Sequence, residues 1–374
     1  MLSSLARLAR PKVGLYVALL PIAGYGYGLW ERGSTRTPRE AAGDVGLLGL
    51  AWFLGHVGTV WLNAVLDRDE GGVLLGRPAA VPRGTSAAAY LALAGSVALA
   101  ATLHTGAAAL AAGCALLAVL YSHPATAWKG HPLAGPCVNV LGYGLASPLG
   151  GWVVASTPLT ARTLLTLGIG VPFIVGAYLA AQAWQGPEDR ARGYRTLVAR
   201  VGPRTTLRLA RACFLAGAGA LALATAVGLY PRALLVALPA YVWADRWMQR
   251  WLEAPGGGSS AHASVLVGRL GLAALLTVGA AYGHQAYQLV HGLPPGGLGT
   301  AWVPPPLFEP PRPHNRLKGA VPMTDGPRAG PRAGTSWAAP PGSGRPGIDT
   351  SRRRDSSWRF PSTPTSRRSM RSET

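Results

Sequence analysis

The chain has 374 residues, of which 13% are charged and 49% apolar, and it carries a formal net charge of +20. Long apolar runs with so little interspersed charge exclude an ordinary soluble core and indicate a polytopic membrane protein. An excess of cations this large commonly marks nucleic-acid binding, but here the cations cluster beside the apolar runs, so we expect no nucleic-acid partner.

In chain order, nine stretches are expected to cross a bilayer: about 13–30, 46–66, 87–104, 106–122, 135–156, 163–184, 207–229, 231–247 and 263–290. The fold class is therefore all-α, a bundle of about nine transmembrane helices around a central cavity. The first run is followed by further spans and lacks a small-residue cleavage site, so it reads as a retained helix. Arg7, Arg10 and Lys12 precede the first span, and Arg68, Arg77 and Arg83 follow the second. Lys129 follows the fourth, and a basic run from Arg190 to Arg211 follows the sixth, with Arg246 and Arg250 later on the same side. Fewer cations, among them Arg32, Arg162 and Arg232, fall on the other side. The positive-inside rule then puts the amino terminus at the cytoplasmic face of what we expect to be a bacterial inner membrane.

Residues 1–292 form the expected membrane domain. Residues 293–374 are rich in Pro, Gly, Ser and Arg without a hydrophobic period, the composition of a disordered tail. Cys114, Cys137 and Cys213 show no metal-type spacing and read as small packing residues. Trp61, Trp152 and Trp184 stand near span ends, where a tryptophan either anchors at the interface or borders a pocket.

Two of the apolar helices end in polar clusters on the cytoplasmic side, WLNAVLDRDE at 61–70 and YLAAQAWQGPEDR at 178–190. Ionisable groups at that depth are costly to bury and usually mark a pathway or a reaction centre. At about 100° per residue, Asn63, Asp67, Glu70 and His56 fall in one narrow stripe, whereas Asp69 points away. Oxygen ligands on successive turns suit a hard divalent ion such as magnesium, which takes one or two carboxylates together with substrate phosphate oxygens. Solvated acids at a capped helix end are the alternative for the first cluster, and simple packing is the alternative for His56. In the second cluster, Tyr178, Gln182, Gln185 and Asp189 share one face if the helix is continuous, although Pro187 is able to end it just before Asp189.

These clusters resemble the signatures of the UbiA-type intramembrane prenyltransferases. Asn63, Asp67 and the pair Arg77-Pro78 match the first signature, with Ala64 in place of its first aspartate and Glu70 aligned with its third acid. Asp189-Arg190, Gly193 and Thr196-Leu197 match the second, with Gln185 in place of an aspartate. Arg10-Pro11, Tyr121-Ser122 with Lys129, and VNVLGYG at 138–144 extend the resemblance over roughly residues 7–290. The resemblance implies magnesium-dependent transfer of a polyprenyl group from its diphosphate to a lipophilic acceptor, such as an aromatic precursor of a quinone. It also implies Asn63, Asp67, Glu70 and Asp189 as catalytic residues, with Gln185 joining them as a metal ligand. Arg77, Lys129, Arg190, Tyr121 and Ser122 are implied at the diphosphate. Ala64 and Gln185 leave room for a homologue that binds a lipid diphosphate or quinone-like lipid without turnover, and the buried acids alone are compatible with a transporter.

Overall fold

The computed structural model describes residues 2–32, 38–67, 74–75, 79–156, 158–254 and 258–291, without the side chains of Leu2, Pro38 and Asp67. All of these lie in one compact unit, Met1–Pro313. The tail expected to be disordered lies outside the described residues.

Every regular element among the described residues is helical. In order they are α1 (Leu2–Leu8), α2 (Pro11–Arg32), α3 (Pro38–Asp67), α4 (Thr85–Leu103), α5 (Thr105–Ser122), α6 (Ala134–Asn139) and α7 (Ser147–Val154). Then follow α8 (Ala161–Ala183), α9 (Gly186–Ala191), α10 (Leu197–Val201), α11 (Pro203–Ala226), α12 (Leu238–Leu252) and α13 (Ser260–Val290). A π-wound segment, Val140–Ala146, joins α6 to α7 into one rod.

Local chemistry sets the boundaries. His104 breaks the apolar run between α4 and α5 in extended conformation, and its ring nitrogen accepts from the Gly106 N–H at 3.0 Å. Thr160 and Thr163 form a reciprocal capping box that opens α8. Glycine lets α2 and α7 approach backbone to backbone. A Cβ on Gly24 would strike the Pro148 carbonyl, and one on Gly151 would strike the Pro21 carbonyl.

Eight helices among the described residues are long and apolar enough to cross a membrane, by length and composition. They match eight of the nine expected stretches. The remaining one, 231–247, is different in kind: a 3-10 turn, Arg232–Ala237, runs into the 15-residue α12, which carries Asp245, Arg246 and Arg250. Its α-helical part is shorter than the other eight. It nevertheless runs along the bundle, because Met248 and Trp251 near its end pack with Leu207 and Ala210 in the first turns of α11.

Candidate functional site

A cavity of about 710 Å³ is lined by residues from both halves of the bundle and differs sharply in character between its two ends. At one end stand Arg10, Asn63, Lys129, Gln185, Glu188 and Asp189. At the other stand Tyr27, Trp30, Thr166 and Tyr230, with apolar side chains such as Leu167, Phe173 and Leu270 along the way.

The polar end is assembled from four separate segments: Arg10 before α2, the end of α3, the end of α5 with the loop after it, and the α8–α9 junction. Asn63, on the last turn of α3, accepts a hydrogen bond on Oδ1 from the Ser122 hydroxyl at the end of α5, at 3.1 Å. Next to Ser122, Tyr121 lies within interaction range of both Tyr178 and Asn139. Gln182 donates from Nε2 to the Tyr178 hydroxyl at 2.6 Å. Gly135 leaves room for that hydroxyl, since a Cβ there would collide with it. The two polar clusters are thus connected across the cavity by Ser122, Tyr121, Tyr178 and Gln182.

The second cluster is bent. α8 stops at Ala183, and α9 begins at Gly186 with Pro187 in its first turn, where the missing backbone donor is tolerated. The break does not scatter the residues, because Tyr178, Gln182, Gln185 and Asp189 all line the cavity. Asp189 is 9% exposed, and its Oδ2 accepts from the Thr196 hydroxyl at 2.6 Å. Thr196 also accepts from the Ala199 N–H at the start of α10, so one side chain caps that helix and fixes the carboxylate. Gly193, at φ +72°, turns the chain between them in the left-handed region that glycine enters without a Cβ clash. The following Arg195 N–H donates to the Gly130 carbonyl at 2.9 Å, which ties this turn to the loop carrying Lys129.

Lys129 is 8% exposed, and its ammonium lies 6.0 Å from the Tyr194 ring centroid. Burial, with the nearby Arg192 guanidinium, lowers its pKa to about 8, and the Asp189 carboxylate partly opposes the shift. Burial moves the Asp189 carboxyl the other way, upward, against the Thr196 hydrogen bond. Glu188 pairs with Arg192 at 2.7 Å.

Of the expected site residues, Asn63, Tyr121, Ser122, Lys129, Gln185 and Asp189 line the cavity. Arg190 is exposed, lies outside the lining, and donates from Nε to the Gly186 carbonyl at 3.2 Å. The Asp67 side chain, Glu70 and Arg77 lie outside the described residues. His56 lines the cavity at 4% exposure, with neither ring nitrogen hydrogen-bonded. Asn139 and Glu188 also line it, although the sequence offered for them only their position inside or beside a recognised motif. Trp184 borders the cavity, whereas Trp61 donates to the Leu5 carbonyl and so secures α1.

The family model for the UbiA prenyltransferase family matches residues 18–266, which include both polar clusters. The chain belongs to that family. It is accordingly an intramembrane prenyltransferase of the all-helical type. No curated protein matches it by sequence. Among solved structures it is similar to a UbiA homologue from Archaeoglobus fulgidus bound to GPP and Mg2+, with a TM-score of 0.57 and 16% identity over 75% of this chain and 98% of that one. The same homologue bound to DMAPP and Mg2+ gives identical values. A structure of digeranylgeranylglyceryl phosphate synthase gives a TM-score of 0.50 and 15% identity, again over 75% and 98%. At these identities the likeness establishes the shared fold.

Proposed function

We propose that this member of the family transfers a prenyl group from an allylic diphosphate to a lipophilic acceptor, with the diphosphate held at the polar end of the cavity and the prenyl tail lying toward the aromatic end. The observation that carries the reading is the meeting of Asn63, Lys129 and Asp189, from three separate segments, at one mouth of a mostly apolar cavity. Loss of diphosphate requires its growing negative charge to be neutralised in a site of low dielectric. The buried Lys129 ammonium supplies one positive charge there, and Arg77 follows from the motif as a second contact.

The donor set suits magnesium. Asp189 and Glu188 offer carboxylates, and Asn63 and Gln185 offer carbonyl oxygens, which fits an ion that takes one or two carboxylates and completes its shell with phosphate oxygens and water. No group of three acid, histidine or cysteine side chains capable of holding a metal occurs among the described residues. Magnesium, when bound, neutralises diphosphate charge and orients the leaving group. Asp67 and Glu70 join the set from the sequence. Thr196 fixes the Asp189 carboxylate that would hold the ion, and the Lys129 ammonium lies 6.0 Å from the Tyr194 ring centroid. Arg190, self-bonded and outside the lining, is assigned no direct contact.

The acceptor is an aromatic or other lipophilic molecule of the quinone, haem, chlorophyll or carotenoid type, and membrane lipids surround the bundle. The basic loops support an orientation with the polar mouth at the cytoplasmic face, and the membrane in this reading is a bacterial inner membrane. The test is purified protein in detergent with magnesium, an allylic diphosphate and candidate aromatic acceptors. Pyrophosphate should be released; Asp67→Ala should abolish the release, and Gln185→Asp should preserve or raise it. Turnover that survives Asp67→Ala would overturn the site assignment. Tight binding of diphosphate with no release would mark a binding homologue instead.

A further inference from the structure

We infer that the outer seam between α12 and α13 binds an anionic phospholipid of the surrounding bilayer, at a site separate from the central cavity and independent of the function proposed above. Trp243, Arg246 and Arg250 follow one stripe of α12 at about 100° per residue, and all three are exposed. Arg269 reaches that stripe from α13. It donates from Nη1 to the Trp243 carbonyl at 2.8 Å, and its guanidinium lies 4.0 Å from the Trp243 ring centroid and 4.8 Å from that of Trp247. Arg250 lies within electrostatic range of it. None of these residues lines the central cavity.

The acids nearby do not neutralise these cations. Asp245 accepts from Arg211 at 2.6 and 3.1 Å and from Gln249 at 2.8 Å, so it is already engaged. Glu253 is exposed, and among the described residues no ion pair or side-chain hydrogen bond engages it, Arg246 or Arg250. Like charges held together repel, and an anion between them relieves the repulsion. Depth selects the anion. With 31 residues α13 is about 46 Å long, well beyond a hydrocarbon core of about 30 Å, and Arg269 stands about 14 Å past its first residue. Trp243, Trp247 and the Arg211–Asp245 pair stand beside it, the mix of tryptophan and charge that marks the headgroup level. Farther along α13, Leu272 and Leu276 continue the Arg269 stripe at i+3 and i+7 and are 41% and 39% exposed. Planar guanidinium donors at phosphate level above an open leucine stripe fit a phospholipid from headgroup to acyl chain. A soluble anion would use the cations alone.

The test titrates the full chain in detergent with dioleoyl phosphatidylglycerol or dioleoyl phosphatidylcholine and counts bound lipid by native mass spectrometry. Ammonium acetate at about 0.5 M screens diffuse attraction to exposed cations elsewhere on the chain. Wild-type protein should prefer phosphatidylglycerol by about tenfold, and Arg250→Gln should cut that preference by about fivefold, the worth of one cation at headgroup level. Arg250 is exposed, so its variant reads the site without disturbing the packing. Adding Arg269→Gln should erase the preference. Arg204→Gln removes an exposed cation from the first turn of α11 and serves as the charge-matched control, with a change of less than about twofold expected. An equal fall in Arg204→Gln would overturn the site in favour of diffuse surface attraction. Equal affinity of wild-type protein for the two lipids, or an unchanged preference in Arg250→Gln, would also overturn it. Release of the bound lipid by excess inorganic phosphate would do the same, because the cations would then be binding a free anion.

Discussion

The two ends of the cavity use similar residue types for opposite purposes. At the aromatic end the hydroxyl and guanidinium donors are turned toward the protein itself: Tyr27, Tyr230 and Arg162 all donate to main-chain carbonyls. At the polar end the side chains are only partly engaged with one another and border open space, as Asn63, Lys129 and Asp189 do. A polar group satisfied internally stabilises and closes a structure; one held in position with capacity left over is available to a ligand. The difference separates a wall from a site more clearly than composition does, since both ends contain tyrosine, a cation and an acid.

Breaking one end should leave the signature of the other intact. The largest effect belongs to Asp189→Ala, which should lower the rate of pyrophosphate release by about 100-fold or more, because a charge-stabilising group is lost from the reacting centre. Arg162→Met should act in reverse. It strands the Glu31 carboxylate in a buried setting and should cost about 3 kcal/mol of stability, read as a lower thermal midpoint in detergent, with the magnesium requirement unchanged.

A finer probe is Thr196→Val, which removes a hydrogen bond to a charged group worth about 2 kcal/mol and should raise the half-saturating magnesium concentration by about tenfold. The pH response of Lys129 should be smaller still. Its ammonium is the form that binds phosphate, and its pKa is lowered to about 8, so the KM for diphosphate should rise as pH climbs through that value rather than above 10. Asp189 holds the proton on, while Arg192 and burial drive it off. Lys129→Met should flatten the profile, and a profile unaltered by that change would detach the lysine from the substrate. Arg190→Gln, which removes an exposed side chain bonded to its own helix, should shift KM by no more than about twofold.

Much of this was readable along the chain. Eight of the nine apolar runs read at bilayer length coincide with helices long and apolar enough to cross, and Asn63, Lys129 and Asp189 stood out because polar residues at the foot of such runs demand a reason. The ninth stretch holds the short α12, which is held against its neighbours by the bidentate Arg211–Asp245 pair at 2.6 and 3.1 Å. Pro187 announced a helix break, yet only the folded chain revealed that Asp189 faces the same space as Tyr178 despite it.

What the sequence determined by itself was the set of helices and the residues able to do chemistry, since hydrophobic length, caps and motif spacing are local properties. Tertiary structure alone decided which groups meet. Thr196 finds Asp189 because a left-handed glycine turns the chain back, and Tyr27, Trp152 and Tyr230 form one ring cluster although they are far apart in the chain. Such encounters depend on how whole helices pack, glycine against backbone at Gly24 and Gly151, and no local pattern encodes the partner waiting on the other side.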